Sequence, residues 1–293
     1  MNPAIEDVIA KHSKSFSLAS RLLDRASRDD VAVLYAWCRR ADDEVDLAPV
    51  TERRERVDRL DDELTAVYEG RSVGEPVLVA FQELVQRRGI PREYPLALLA
   101  GMRSDVGAVR IATTDELLVY CHRVAGVVGL MLCHVFGLSD ESARENAAHL
   151  GIAMQLTNIC RDVREDAERD RRYLPMDLVA SFDGQQSSKR ELVRRCVARL
   201  LALAEQYYRS ADAGFHALPF RAALAARAAR KVYAAIGDEL ASRQFDALAG
   251  RVAVPLGKKL TLLVSAVLQE LWGRTCRRVR GRVRLPEGLG RTP

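Results

Sequence analysis

The sequence predicts an all-α protein, a single-domain helical bundle with a central cavity. Three segments support this prediction, because each runs longer than a strand and is rich in Ala, Leu and Arg, which favour helices. They are SRDDVAVLYAWCRRADDEVD (27–46), DELLVYCHRVAGVVGLMLCHVFGL (115–138) and ENAAHLGIAMQLTNICRDVRED (145–166). The sequence has no sustained alternation of apolar and polar residues, which a sheet with one solvent-exposed face would show.

Helix starts and breaks divide the chain into helices rather than domains. Ser27 and Ser139 each precede acidic residues, which the helix dipole favours in a first turn, so we predict helix starts there. Gly126 and Gly129 are expected to allow close helix packing or a bend. Clusters of Gly, Pro, Ser or Asp predict breaks at residues 70–76, 89–91, 137–140, 175–188 and 250–257.

The composition is that of a globular protein with a basic tail. Of the 293 residues, 48% are apolar and 29% are charged, which fits a packed core rather than a disordered chain. The net charge is +5, but residues 274–293 contain seven Arg and one Glu, so the tail alone carries +6. We predict one domain over residues 1–273 and a tail that is a solvated end or binds anionic lipid. A nucleic-acid arm is the least favoured interpretation of the tail.

The cysteines and the apolar segments indicate a cytoplasmic protein. The six cysteines include no C-x-x-C pair, and most lie in apolar stretches, as buried free thiols do. The N-terminus lacks the apolar core of a signal peptide. The longest apolar stretch, residues 124–138, falls short of the roughly 20 residues needed to span a bilayer. We therefore expect a cytoplasmic location with at most peripheral membrane association.

A polar pattern occurs twice on the predicted helices. Its members are three or four residues apart, so they lie along one helix face and end in two carboxylates one turn apart. Both copies contain the motif D-x-x-x-D. The first copy is Tyr35, Arg39, Asp42 and Asp46, and the second is Gln155, Asn158, Asp162 and Asp166.

The spacing of the carboxylates is not specific by itself, because Asp58 and Asp62 share it. Residues 52–56, just before that pair, are all charged, so charge lies on every side of the predicted helix. This pattern is typical of a solvated helix. By contrast, the apolar segments VAVLYAWC and LGIAMQLTNIC precede the two patterns, and such helices are buried all round. We therefore assign function to the two patterns and none to Asp58 and Asp62.

The buried carboxylates indicate a metal site. An unpaired buried carboxylate is unstable, and an oxygen-rich set without Cys or His suits a hard ion, Mg²⁺ above all, with Mn²⁺ as a substitute. Two such helix faces opposite each other would hold a magnesium-diphosphate cluster. The alternative is that both carboxylate pairs only form salt bridges that hold the fold together. Their partners would be among Arg39, Arg40, Arg161 and Arg164, whose guanidinium groups can also bind phosphate.

Five ordered blocks of sequence identify a family. They are HSKSFSLAS (12–20), LYAWCRRADDEVD (34–46), YCHRVAGVVGLM (120–131), QLTNICRDVREDAERDRRYLP (155–175) and KKLTLL (258–263). In these blocks the chain resembles the squalene/phytoene synthase family, and most closely its bacterial phytoene synthases. The resemblance covers nearly the whole chain except the basic tail. It implies the all-α isoprenoid synthase bundle, with residues 1–273 as the catalytic domain and residues 274–293 as the tail.

The resemblance also implies roles for individual residues. The family's magnesium ligands match Asp42, Asp46, Asn158, Asp162 and Asp166. Its substrate-binding residues match Ser13, Ser15, Tyr35, Arg39, Gln155, Arg161 and Arg251. Tyr120 and Tyr233 match aromatic residues along the carbocation path, and with the four aspartates they are the expected catalytic residues. Asp170 lies beyond the family motif and is expected at the surface.

The resemblance implies a Mg-dependent prenyltransferase that condenses two geranylgeranyl diphosphates head to head, through a cyclopropyl diphosphate, to phytoene and diphosphate. No NADPH is expected, because this route ends with the loss of a proton, whereas the squalene route ends with a reduction. The expected partners are prenyl diphosphates and a peripheral membrane surface, and no nucleic acid. One alternative is a C15-using synthase with presqualene-, hydroxysqualene- or dehydrosqualene-type products. Another is a catalytically silent assembly protein, against which the intact carboxylates argue.

Overall fold

The computed structural model describes residues 19–138, 140–183 and 188–277. Ser13, Ser15 and the tail beyond residue 277 lie outside the described residues. The first helices are α1 (Arg25–Asp46), α2 (Arg53–Tyr68), α3 (Pro76–Arg88) and α4 (Glu93–Ser104). The short strand β1 (Val109–Arg110), α5 (Thr114–Cys121), a π-helical segment (His122–Gly126) and α6 (Val127–Val135) follow. The remaining elements are α7 (Glu141–Glu168), β2 (Arg171–Arg172), α8 (Met176–Asp183), α9 (Lys189–Gly214), α10 (Phe220–Ser242) and α11 (Leu256–Arg277).

Aspartates, rather than the predicted serines, cap α1 and α7. Asp24 accepts a hydrogen bond from the backbone N–H of Ser27 (2.9 Å), and Asp140 accepts one from Ser142 (3.0 Å). The predicted start of α1 is therefore three residues too late and that of α7 one residue too early, since an aspartate caps a helix as well as a serine does. Ser27 lies within the first turn of α1, and Ser139 lies outside the described residues.

Most of the predicted breaks adjoin helix boundaries, but the break at residues 175–188 contains α8. Leu178 of α8 packs against the apolar core around α7. This helix is only 8 residues long, and the Pro and Ser residues around it indicate a loop more strongly than its few apolar residues indicate a helix.

Helix α7 is the central element of the bundle. It packs against α6, α9, α10 and the π-helical segment. The backbones approach closely: a Cβ atom added at Gly129 would lie 2.3 Å from the carbonyl oxygen of Ala147, and one added at Gly151 would lie 2.2 Å from that of Ala125. The prediction that Gly129 allows close helix packing is confirmed, because no larger residue fits there without moving the backbone.

Two apolar cores hold α1 and α7 in place. In the first core α1 packs with α2, α3, α4 and α6, and Trp37 stacks on Phe81 with ring centroids 4.3 Å apart. The second core surrounds α7 and α9 and includes the fully buried Leu156, Leu200 and Tyr208. Each large apolar side chain contributes about 1.5–3 kcal/mol when buried. The polar faces of α1 and α7 are therefore presented by rigidly packed helices.

A short parallel ladder joins two distant parts of the chain. Val109 of β1 pairs with Arg171 of β2, and Arg110 pairs with Arg172. The ladder connects the loop after α4 to the segment that follows α7. As a result, the side chain of Arg171 lies beside the end of α1, where it contacts Asp46.

The stretch Thr114–Val135 is long and apolar enough to cross a membrane by length and composition, with a mean hydropathy of 1.6. A core helix of a globular protein passes the same test. This stretch comprises α5, the π-helical segment and α6, and it packs against α4 and α7. Of its most apolar 18 residues, 39% are buried within the fold.

The described cysteines are free thiols. Cys121, Cys133, Cys160 and Cys196 are buried, and Cys38 is partly buried. Burial raises the pKa of the Cys38 and Cys133 thiols to about 12. The prediction of buried free thiols holds for these residues, and their raised pKa values make them unreactive.

Candidate active site

The polar pattern on α1 ends in carboxylates that arginines surround. Arg39 donates hydrogen bonds to Asp42 (3.2 Å) and to Asp43 (3.0 Å). Asp46 accepts from Arg171 (3.3 Å) and from Arg169 (3.4 Å). The carboxylates at the end of α1 thus lie among guanidinium groups that reach them from the same helix and from the chain after α7.

The pattern on α7 has a similar arrangement. Arg161 donates to Asp162 (2.8 Å), and Arg251, which follows α10, forms an ion pair with the same carboxylate (3.1 Å). Nearer the N-terminus of α7, the amide nitrogen of Asn158 lies 3.5 Å from the amide oxygen of Gln155. Asp162 is therefore contacted by two arginines that the resemblance assigns to substrate binding.

Arg171 connects the two patterns. Its side chain is only 7% exposed and binds Asp46 on α1. The pKa values of Asp42 on α1 and of Asp166 on α7 are raised overall, and the positive charge of Arg171 partly opposes that rise. Arg171 thus contacts Asp46 of the first pair and acts electrostatically on Asp42 and on Asp166 of the second pair, so the carboxylate ends of α1 and α7 share a buried cation as an electrostatic neighbour.

Burial and nearby negative charge raise the pKa of two of these aspartates. Burial, followed by the charge of Asp46, raises the pKa of Asp42 to about 6. Burial, followed by the charge of Asp162, raises the pKa of Asp166 to about 7. The Asp42 side chain is nevertheless 47% accessible to solvent, so the prediction that this carboxylate is buried holds only in part. A divalent cation would offset the nearby negative charge by stabilising the ionised carboxylates.

Tyrosines from other helices approach the same region. Burial raises the pKa of Tyr35 to about 12, and Arg39, Tyr233 and Asp42 are its electrostatic neighbours. Tyr233 on α10 also lies near Arg161 of α7. The predicted residues of α1, α7 and α10 are thus gathered together, with the tyrosines beside the arginines.

Tyr120 belongs to a buried polar network that the sequence did not reveal. Its hydroxyl donates to Asp105 (2.8 Å) and lies 3.2 Å from the hydroxyl of Tyr173, which donates to the other carboxylate oxygen of Asp105 (2.6 Å). The two rings stack with centroids 4.9 Å apart. Arg171 donates to the backbone carbonyl of Asp105 (3.5 Å), so the network adjoins the aspartate pairs.

The side chains present fit a hard metal ion. Among the described residues, no three Asp, Glu, His or Cys side chains converge as a preformed cluster, because arginines contact Asp42, Asp46 and Asp162. However, the side-chain oxygen of Asn158 is buried and has no hydrogen-bond partner in the described part of the chain. Asn158 precedes Asp162 and Asp166 by one and two helical turns, so its orphaned amide oxygen adds an oxygen donor to the face that carries them, and Mg²⁺ and Mn²⁺ prefer oxygen donors.

Some of the salt bridges that the alternative interpretation requires are present. Arg39 and Arg161 do pair with the predicted carboxylates, whereas Arg40 binds Glu63 (2.8 Å) and Arg164 binds Glu168 (3.3 Å). Two of the four candidate arginines therefore contact the site. These contacts are compatible with substrate binding, because a guanidinium can exchange a carboxylate for a diphosphate oxygen.

The two aspartates set aside as surface residues are exposed. Asp58 is 57% exposed and binds Arg103 on α4, outside the candidate site. Asp170 is 60% exposed and pairs with Arg110. The prediction that neither residue is buried is confirmed.

An open groove of about 470 Å³ runs along a neighbouring face of α1. Its charged side chains are paired with each other or with nearby residues: Arg39 with Asp43, Arg40 with Glu75, and Arg56 with Glu44. Asp42 and Asp46 do not line it. We therefore assign the chemistry to the site between α1 and α7.

The fold and the two aspartate-bearing helices define an all-α protein of the isoprenoid synthase class. The sequence profile of the family Squalene/phytoene synthase matches residues 9–258, and the chain belongs to this family. A phytoene synthase from Pseudescherichia vulneris is 38% identical, over 92% of this chain and 92% of the relative. A 15-cis-phytoene synthase from Pantoea ananas is 37% identical, over 94% of this chain and 93% of the relative.

Solved structures agree with the family assignment. A dehydrosqualene synthase in complex with ligand matches with a TM-score of 0.83 and 27% identity, over 93% of this chain and 96% of that chain. A squalene synthase from Alicyclobacillus acidocaldarius matches with a TM-score of 0.75 over 83% of this chain and 94% of that chain. At 23% identity, the second match supports the fold alone.

Proposed function

We propose that this protein condenses two molecules of geranylgeranyl diphosphate head to head to phytoene, through a cyclopropyl diphosphate intermediate, and releases diphosphate. The observation that carries the proposal is that Arg171 binds Asp46 of one D-x-x-x-D pair and acts electrostatically on Asp166 of the other. It occurs in a chain that is 37–38% identical to phytoene synthases over more than nine-tenths of its length. The catalytic unit comprises residues 1–273, within which the family match falls.

The diphosphate site combines a metal with arginines. Mg²⁺, or Mn²⁺ in its place, would be held by the ligand set Asp42, Asp46, Asn158, Asp162 and Asp166. Bound there, the metal would supply Lewis acidity that withdraws charge from the diphosphate leaving group. Arg39, Arg161 and Arg251 contact these same carboxylates and can turn to the diphosphate oxygens. Ser13, Ser15 and Gln155 complete the expected substrate contacts.

The tyrosines are suited to the carbocations that form after diphosphate leaves. Tyr35 and Tyr233 neighbour each other at the arginines, and Tyr120 is buried against Tyr173. An aromatic ring stabilises a cation through the negative potential of its face, and a site from which water is excluded strengthens the effect. The final step breaks a C–H bond, whose electrons form the new double bond while the proton leaves. No reductant takes part, so NADPH is not required.

Phytoene is a hydrocarbon that cannot leave into water, so the enzyme should visit a membrane surface. Helix α11 presents an apolar stripe on which each side chain is 50–75% exposed: Leu256, Leu260, Val264, Leu268, Leu271 and Trp272. The end of this helix and the chain after it, residues 274–293, together carry a charge of +6. An apolar helix face next to a basic segment fits the surface of an anionic bilayer. The enzyme is thus a cytoplasmic protein that binds membranes reversibly.

The alternative is a C15 substrate. The dehydrosqualene synthase structure has a TM-score of 0.83, so cavities for C15 and C20 chains can be built on closely similar folds. Products extracted after incubation with geranylgeranyl or farnesyl diphosphate and Mg²⁺ separate the two assignments. We expect phytoene from the C20 substrate and little product from the C15 substrate. A C30 product formed in preference to phytoene would overturn the C20 assignment.

A further inference from the structure

Asp105 is a buried carboxylate with two tyrosine hydroxyls bound to it. It follows the last residue of α4, and each of its carboxylate oxygens accepts one hydrogen bond, from Tyr120 (2.8 Å) and from Tyr173 (2.6 Å). Burial raises the pKa of Asp105, whereas the two tyrosine hydrogen bonds and the charge of Arg171 lower it. Its carboxyl group is therefore held in one orientation by partners on both sides.

The network ties Tyr120 to the aspartate-bearing end of α1. Arg171 donates both to the backbone carbonyl of Asp105 and to the carboxylate of Asp46. Tyr173 follows Arg171 by two residues, and its ring stacks on Tyr120 with an angle of 26° between the planes. A ring fixed at its hydroxyl and on one face cannot rotate away without breaking both contacts.

We propose that Asp105 is a positioning residue for Tyr120. Held by Asp105, the ring of Tyr120 stays in the orientation in which it can face a carbocation. Donation of the phenol hydrogen to the Asp105 carboxyl group also increases electron density in the ring, which strengthens its attraction for a cation. The inference rests on the proposed function, because it takes Tyr120 to lie on the cation path.

The test is a double-mutant cycle that combines Asp105→Asn with Tyr120→Phe. Asp105→Asn keeps the size of the side chain but can accept only one of the two hydroxyl hydrogen bonds. We expect it to lower kcat about 10- to 100-fold, because small misplacements of a catalytic group have effects of this size. KM should stay within about twofold of wild type, since diphosphate binding does not use Tyr120. In the Tyr120→Phe background the same change should alter kcat by less than about threefold, since its target hydroxyl is already gone.

Asp170→Asn is the matched control. Asp170 is exposed and immediately precedes β2 of the same ladder, with a backbone φ of 57° that Asn tolerates as well as Asp does. It should keep the wild-type kcat and KM. Equal losses from Asp105→Asn with and without the Tyr120 hydroxyl, or a loss expressed only in KM, would overturn the proposal.

Two further features keep the test decisive. If Asp105→Asn does not fold, the cycle uses Asp105→Glu, which retains the acceptor but displaces it by one methylene, and the same dependence on the Tyr120 hydroxyl is expected. The assays use whichever prenyl diphosphate the wild-type enzyme consumes. A wild-type preference for farnesyl diphosphate would therefore contradict the C20 assignment while the cycle still decides the role of Asp105.

Discussion

Asp42→Asn should lower turnover by at least about 100-fold, or about 2.7 kcal/mol in transition-state stabilisation. The change removes one metal-binding charge without changing side-chain size. Arg39 keeps its hydrogen bond to Asp43, so the lost ion pair with Asp42, which is partly exposed, costs less than about 1 kcal/mol of folding stability. The pKa of Asp42 is raised to about 6, so its charged form is disfavoured in the folded protein, and the neutral Asn avoids this penalty. The melting temperature should therefore stay within about 4 °C of wild type.

Asp58→Asn is the control for this experiment. Arg103 pairs with both Asp58 and Asp61. Like Asp42→Asn, this change therefore removes one of two carboxylates that bind the same arginine. The two carboxylates are similarly accessible, 57% for Asp58 and 47% for Asp42, but Asp58 lies outside the candidate site. Steady-state release of diphosphate, with thermal unfolding of each variant, should show a large loss for Asp42→Asn and almost none for Asp58→Asn. Similar losses in both variants would refute the distinction between the two kinds of aspartate pair.

Three further predictions concern the cofactor, the tail and the response to pH. Phytoene should form at the same rate with and without NADPH, and a product that requires NADPH would assign the enzyme to the squalene branch. Truncation after Trp272 should reduce sedimentation with anionic vesicles at low salt but spare activity on detergent-dispersed substrate, whereas equal binding by both forms would exclude the tail as an anchor. Burial lowers the pKa of His149, so its contribution to stability is present above about pH 6.5 and is lost as pH falls. His149→Gln, which can keep a hydrogen bond to Ser210, should therefore lose less stability than wild type on acidification, and superimposable pH profiles would contradict this.

The helices and the two polar patterns could be predicted because their signals are local. A spacing of three or four residues places Asp42 and Asp46 on one face whatever the rest of the fold does. The apolar residues before each pattern predict that it differs in function from the pair Asp58 and Asp62; Asp58 is exposed as expected, but Asp42 is itself 47% accessible, so the functional distinction stays a prediction. The family assignment and the all-α fold are confirmed. The roles assigned to individual site residues stay predictions.

The network behind the site could not be predicted, because its contacts are long-range. Asp105 and Arg171 are far apart in sequence, and a ladder of two residues per strand brings them together. Such short strands leave no periodic signal. Tyr173 and Arg171 do lie within the block QLTNICRDVREDAERDRRYLP, which was the only hint that they matter. Nothing in the residues around Asp105 distinguishes it from a surface aspartate.

The central claim is that the aspartates of α1 and α7 hold one metal-diphosphate cluster. Binding of Mn²⁺, followed by electron paramagnetic resonance, tests it in the presence of a non-ionising sulfur analogue of geranylgeranyl diphosphate. The wild-type protein should bind Mn²⁺ tightly only when the analogue is present, because the ion needs oxygens from both. Asp42→Asn and Asp162→Asn should each weaken this binding by at least about tenfold, while Asp58→Asn leaves it unchanged. Wild-type binding of Mn²⁺ by either Asp42→Asn or Asp162→Asn would contradict a cluster shared between the two helices.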